Sequence, residues 1–178
     1  MRMKISTILK AAGCWSLLIL LAVALAGISG CASKQAASLP AITPTPTGQY
    51  QVGKFVWFDL LTEDVQAAQK FYGELFGWQF KTKGKSSGYI VINSGDKPIG
   101  GIVPHENKDP NIQESIWLAS LSVEDVDRAV SATKARYGKV LDEPIDIKGR
   151  GRMAVIRDPE GAELVLIRAA GGDPADRC

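Results

Sequence analysis

The chain has 178 residues, with 21 Lys and Arg against 19 Asp and Glu, one His and three Cys. Three of the bases, Arg2, Lys4 and Lys10, lie in the first thirty residues and no acid does, which leaves 18 bases against 19 acids in the rest. A balance so close to neutral lacks the concentrated cationic face that nucleic-acid binding requires, and a single histidine leaves little material for a nucleophilic triad.

The chain opens on the basic segment MRMKISTILK, follows it with the apolar run AAGCWSLLILLAVALAG, and reaches ISGC at once. That order predicts an export signal over residues 1–30. Ile28-Ser29-Gly30-Cys31 resembles the lipobox of bacterial lipoproteins, which implies that Cys31 becomes an acylated N-terminus. Ala32 is not the Asp of the inner-membrane retention rule, so the expected location is the outer membrane, facing the periplasm. With Cys14 in the signal, Cys31 acylated and Cys178 last in the chain, no internal disulfide is expected. Residues 31–53 carry three prolines and no apolar periodicity, and predict an extended tether of up to ~60 Å.

From residue 54 the sequence repeats itself at a shift of 61: Leu60, Glu63, Asp64, Val65, Ala68 and Gly77 recur as Leu121, Glu124, Asp125, Val126, Ala129 and Gly138. Two copies of one supersecondary unit are predicted, over 54–104 and 116–168. Each opens on a strand, VWFDLL or SIWLASL, that ends in a hydroxyl and acid cluster able to cap a helix. Val65, Ala68, Phe71, Tyr72, Leu75 and Phe76 then follow at helical spacing, as do Val126, Ala129, Val130, Thr133 and Tyr137. Gly77 and Gly138 are read as helix stops. Three β-prone runs complete each unit: WQFKT, GYIVIN and IGGIV in the first, KVL, RMAVIR and ELVLI in the second. The fold class is α+β, two βαβββ modules pairing into a curved, cup-like mixed sheet, with a tail over 169–178. A cup of this kind is a default ligand site.

LTEDVQAAQKFYGELFGW resembles the first helix of the vicinal oxygen chelate superfamily, which includes glyoxalase I, bleomycin-resistance proteins and extradiol dioxygenases. GRMAVIRDPEGAELVLI is similar to the DP-x-G hairpin that closes the second module there. The likeness runs over about residues 54–168. It implies a divalent metal at the bottom of the cup, held by His or Gln from the first strand of each module and Glu from the last. The corresponding positions here fall on Trp57, Leu118 and Val165, and IGGIVP offers no acid in any register. None of these binds a metal, so no metal site and no cofactor are predicted; a divalent ion would need an atypical set such as Asp59, His105 and Glu163. His105, in the HENKDP connection, reads as a solvated loop imidazole.

Strand alternation sends Trp57, Asp59, Leu118, Ser120, Glu163 and Val165 into the cup as candidate ligand-binding residues. Phe58, Leu60, Ala119, Leu121, Leu164 and Leu166 fall under the helices. Asp59 and Glu163 are the candidate catalytic acid or base, set against ion pairing to Arg152 or Arg157 as the plainer role. Lys148 to Arg152 reads as a solvated hairpin loop, or as an anion contact. The leading expectation is a lipid-anchored, metal-poor protein that binds an unidentified small molecule in its cup. An atypical lyase, isomerase or dioxygenase comes second and an envelope interaction module third. Expected partners are that small molecule and the membrane through Cys31, with no nucleic acid and with a homodimer left open.

Overall fold

The computed structural model describes residues 39–82, 88–105 and 115–175. The predicted signal and lipobox, the first part of the predicted tether and Cys178 lie outside them. In chain order the elements are β1 (Phe55–Thr62), α1 (Val65–Phe76), β2 (Gln79–Thr82), β3 (Ile90–Ser94), β4 (Lys97–Pro104), β5 (Ile116–Ser122), α2 (Val126–Ala135), β6 (Lys139–Ile147), β7 (Gly151–Arg157) and β8 (Glu163–Ala169). They form one eight-stranded sheet in the order β2-β3-β4-β1-β5-β8-β7-β6. The halves repeat one topology: β1 runs parallel to β4 and β5 parallel to β8, while β1 and β5 meet antiparallel at the centre. This is the two-module βαβββ arrangement that the repeat predicts.

Both helices start where the acid clusters predict. Asp64 Oδ1 accepts the amide of Ala67 at 2.8 Å and Asp125 Oδ1 that of Arg128 at 2.9 Å, filling donors that a first helical turn leaves open. Their ends differ. Gly77 closes α1 in the left-handed region at φ 67°, whereas after α2 it is Tyr137 that takes φ 63°. Gly138, read from the sequence as a helix stop, follows it: its amide donates to Thr133 O at 3.0 Å and closes the last turn, and a Cβ there would stand 2.6 Å from Thr133 Cγ2.

Alternation along the strands divides the core in two. On the convex face Leu60, Ile90, Ile92 and Ile102 pack with Val65, Ala68 and Tyr72 of α1, and Ala154 and Leu166 pack with Val126 and Val130 of α2. The concave face gathers Trp57, Leu61, Tyr89, Val91, Leu118, Met153, Val155, Val165 and Ile167. A bulge between Phe55 and Trp57 brings Val56 into the same cluster.

The predicted tether departs most from expectation. From Leu39 onward it belongs to the fold: Leu39 and Ile42 are buried in the concave cluster. The Leu39 amide donates to Lys148 O at 3.1 Å, and the Thr47 amide to Gly171 O at 2.8 Å. The predicted tail is tied in as well, since buried Asp173 accepts through Oδ2 from the Gln51 amide and from Ser122 Oγ, each at 2.6 Å. The cause is apolar area. The strands alone leave the cup's interior open to water, and burying each aliphatic side chain over it contributes ~1.5–3 kcal/mol.

Candidate functional site

The centre of the concave face is polar and enclosed. Trp57 and Asp59 project from β1 two residues apart, and Tyr89 enters just ahead of β3. Tyr89 donates its hydroxyl hydrogen to Asp59 Oδ1 at 2.6 Å. The same carboxylate oxygen accepts from Trp57 Nε1 at 3.0 Å. Arg150 Nη2 donates to the Tyr89 oxygen at 2.8 Å. The Arg150 guanidinium lies 4.8 Å from the Trp57 ring centroid and 5.5 Å from that of Tyr89. Such cation–π contacts contribute about 2 kcal/mol when desolvated.

Tyr89 and Arg150 owe their positions to glycines. Gly101 of β4 faces Asp59 across the ladder, and a Cβ there would collide with the Tyr89 hydroxyl and stand 2.6 Å from Asp59 Oδ1. Gly149 and Gly151 flank Arg150 at φ 84° and φ 115°, a region L side chains avoid. This double reversal folds the arginine back under the sheet, where it is 1% exposed and its Nε has no partner among the described residues.

Burial first, and then the Asp59 carboxylate, push the Tyr89 phenol far above its ordinary pKa, against the opposing pull of Arg150. It therefore acts as a neutral donor and acceptor rather than a phenolate.

Of the predicted ligand-binding residues, Trp57, Asp59, Leu118, Ser120 and Val165 are all buried on this face. Glu163 is the exception. The Ser120↔Val165 pairing sets it level with Leu118, which itself faces Asp59, so two strand spacings, roughly 10 Å, separate the candidate carboxylates. Glu163 is ion-paired with Arg157. Arg152 instead spans Asp127 and Asp146 on the exposed side. His105 departs from the solvated imidazole predicted for it: it is half-buried, and its Nδ1 has no partner among the described residues.

Sequence reading missed Tyr89 and Arg150. Tyr89 shares the parity of Val91 and Asn93, which was a usable signal. For Arg150 the signal was the pair of flanking glycines.

Register also completes the comparison with a metal site. Val165 pairs with Ser120 as Gly101 pairs with Asp59, so the four positions are Trp57, Leu118, Val165 and Gly101. None offers an N or O donor from its side chain beyond an indole N–H, which is a donor only. Among the described residues no three His, Cys, Asp or Glu gather as a metal set. The chemistry of these side chains does not fit a divalent ion.

The family model of the Glyoxalase/Bleomycin resistance protein/Dioxygenase superfamily matches residues 54–166. The glyoxylase-like protein CFP32 of Mycobacterium tuberculosis is 34% identical over 124 residues, which are 68% of this chain and 48% of that one. The anthracycline biosynthesis protein DnrV of Streptomyces peucetius is 29% identical over 133 residues, 67% of this chain and 48% of its own. The chain thus spans about half the length of these relatives. Among solved structures, a methylmalonyl-CoA epimerase of Streptomyces coelicolor aligns with TM-score 0.48 and 16% identity, over 70% of this chain and 100% of that one.

Proposed function

The chain belongs to the Glyoxalase/Bleomycin resistance protein/Dioxygenase superfamily, and within it we propose a metal-independent binding protein, lipid-anchored through Cys31, that takes a small planar molecule into its cup. One observation carries this reading: a buried guanidinium stacked on Trp57, with its Nε unpartnered. A buried donor without an acceptor costs ~1–3 kcal/mol, more when charged, and a ligand acceptor placed there removes that cost. The indole and phenol rings beside it suit a flat, conjugated body. A relative named for the biosynthesis of anthracyclines, which are flat aromatic compounds, supports a ligand of that shape.

The ligand displaces Leu39 and Ile42, whose side chains cover the cluster. The acid–base reading has less support, because Asp59 Oδ1 already accepts from both Tyr89 and Trp57 and Glu163 is held by Arg157.

Calorimetric titration of the full chain in detergent with a panel of planar aromatic carboxylates and quinones tests the binding reading. At least one should bind, with Arg150→Met weakening it tenfold or more. Binding that is absent across the panel, or indifferent to that change, rejects it. Labelling cells with an alkyne-bearing palmitate tests the anchor, and label should enter the native chain but not Cys31→Ser.

A further inference from the structure

The polar cluster of the cup is balanced in charge. Asp59 is 7% exposed and Arg150 1%, and one hydroxyl joins them: Tyr89 donates to Asp59 Oδ1 at 2.6 Å while accepting from Arg150 Nη2 at 2.8 Å. Burial keeps the Tyr89 phenol protonated, so the three side chains sum to one negative and one positive charge. The other arginines of β7 and β8 are committed elsewhere, Arg157 to Glu163, Arg168 over the Tyr50 ring, and Arg152 to Asp127 and Asp146. His105 stands four residues past Gly101, roughly 13 Å away along the chain.

Enclosure makes that balance matter. Leu39 and Ile42 belong to the same buried face as Val91, Leu118, Val155 and Val165, so the cluster sits among aliphatic side chains. In such surroundings a charge without a counter-charge is far more costly than a neutral dipole, because little water is present to screen its field. A ligand carboxylate beside Arg150 brings a second negative charge to a single cation. A neutral carbonyl oxygen accepts the Nε hydrogen, which has no partner among the described residues, and leaves the sum at zero.

We infer that the cup selects flat, uncharged carbonyl compounds, such as aryl ketones and quinones, against carboxylates of the same shape, and that Asp59 sets this preference by matching the charge of Arg150. The inference rests on the binding reading above and narrows it to one class of ligand. Asp59 is a positioning residue here: it acts through Tyr89 and Arg150 rather than by touching the ligand. A carboxylate that enters does so as its neutral acid, and takes a proton from solvent. With the Asp59 charge removed, Arg150 is the only charge in the cluster, and the preference reverses.

Calorimetry of the full chain in detergent, with protein-free detergent as blank, tests this with 2-acetylnaphthalene and 2-naphthoate. The two share one ring system and differ by a methyl group against a charged oxygen. Titrations at pH 6 in two buffers of unlike ionisation enthalpy read affinity and proton uptake together. The native chain should bind the ketone at least tenfold more tightly, with a heat independent of buffer, and any naphthoate bound should bring close to one proton. Asp59→Asn should reverse the order, with naphthoate bound at least tenfold more tightly than by the native chain and without proton uptake. Tyr89→Phe, which changes no charge, should weaken both ligands and keep the native order. Equal affinities in the native chain, naphthoate bound there without a proton, or an order unchanged in Asp59→Asn would each overturn the inference, and the first two depend on no variant. If neither compound binds the native chain, the binding reading fails and the inference falls with it; if both bind alike, the inference alone fails.

Discussion

The two faces of this sheet are both apolar, and they are treated in opposite ways. The concave face carries a charged cluster at its centre and is closed from within the chain, by Leu39, Ile42 and the inward-turned Arg150. The convex strip leaves Phe55, Phe58 and Trp117 between 40% and 53% exposed, and α1 reaches it through the contact of Tyr72 with Trp117. Apolar character alone therefore does not locate a ligand site. The contrast teaches that a ligand site needs polar groups held in place and a cover that can move, and that exposed apolar area by itself supplies neither.

The contrast can be broken most severely at Gly101. Gly101→Val drives a side chain into the Tyr89 hydroxyl and Asp59, and should cost about 3 kcal/mol by urea unfolding. Ile42→Ala should cost ~2–3 kcal/mol and open the cup, read as a gain in fluorescence of a hydrophobic dye that the native protein does not bind. If dye binding and stability both stay at native values, the segment is not a cover.

Tyr89→Phe leaves Asp59 and Arg150 each short of a partner and should cost ~1–2 kcal/mol. It also carries a pH signature. The folded state raises the Tyr89 pKa above the ordinary value of about 10, so its contribution is complete below pH 10 and is lost as pH rises beyond it. Unfolding free energies measured from pH 8 to 11 should therefore fall more steeply for the native chain than for Tyr89→Phe. The smallest effect belongs to the convex face, where replacing the exposed Phe71 by Ser should change stability by no more than ~0.5 kcal/mol in urea unfolding.

Much of the architecture was readable because it depends on local pattern. Repeats, capping acids and strand parity are local, and they place Trp57, Asp59, Leu118 and Val165 in the cup and Leu60, Leu164 and Leu166 under the helices. What escaped depends on distant neighbours. Leu39 and Ile42 sit among prolines with no periodicity, and only the unfilled hollow of a sheet formed later in the chain gives them a place. Arg150 lies in a run of charges whose usual fate is solvation, and two left-handed glycines reverse that fate. Helical spacing put Phe71, Leu75 and Phe76 inside, yet the apolar arc of α1 is wider than the sheet beneath it, and the excess faces outward.

The docking of Leu39 against Lys148 O has a mechanical consequence. Seven residues, 32–38, separate it from Cys31, and even fully stretched they reach only ~25 Å. An acyl chain on Cys31, as proposed, would moor the protein on a leash no longer than that. A pull on such a mooring would arrive first at the stretch that corks the bowl, so the proposed lipid attachment and the proposed ligand entry would share one hinge.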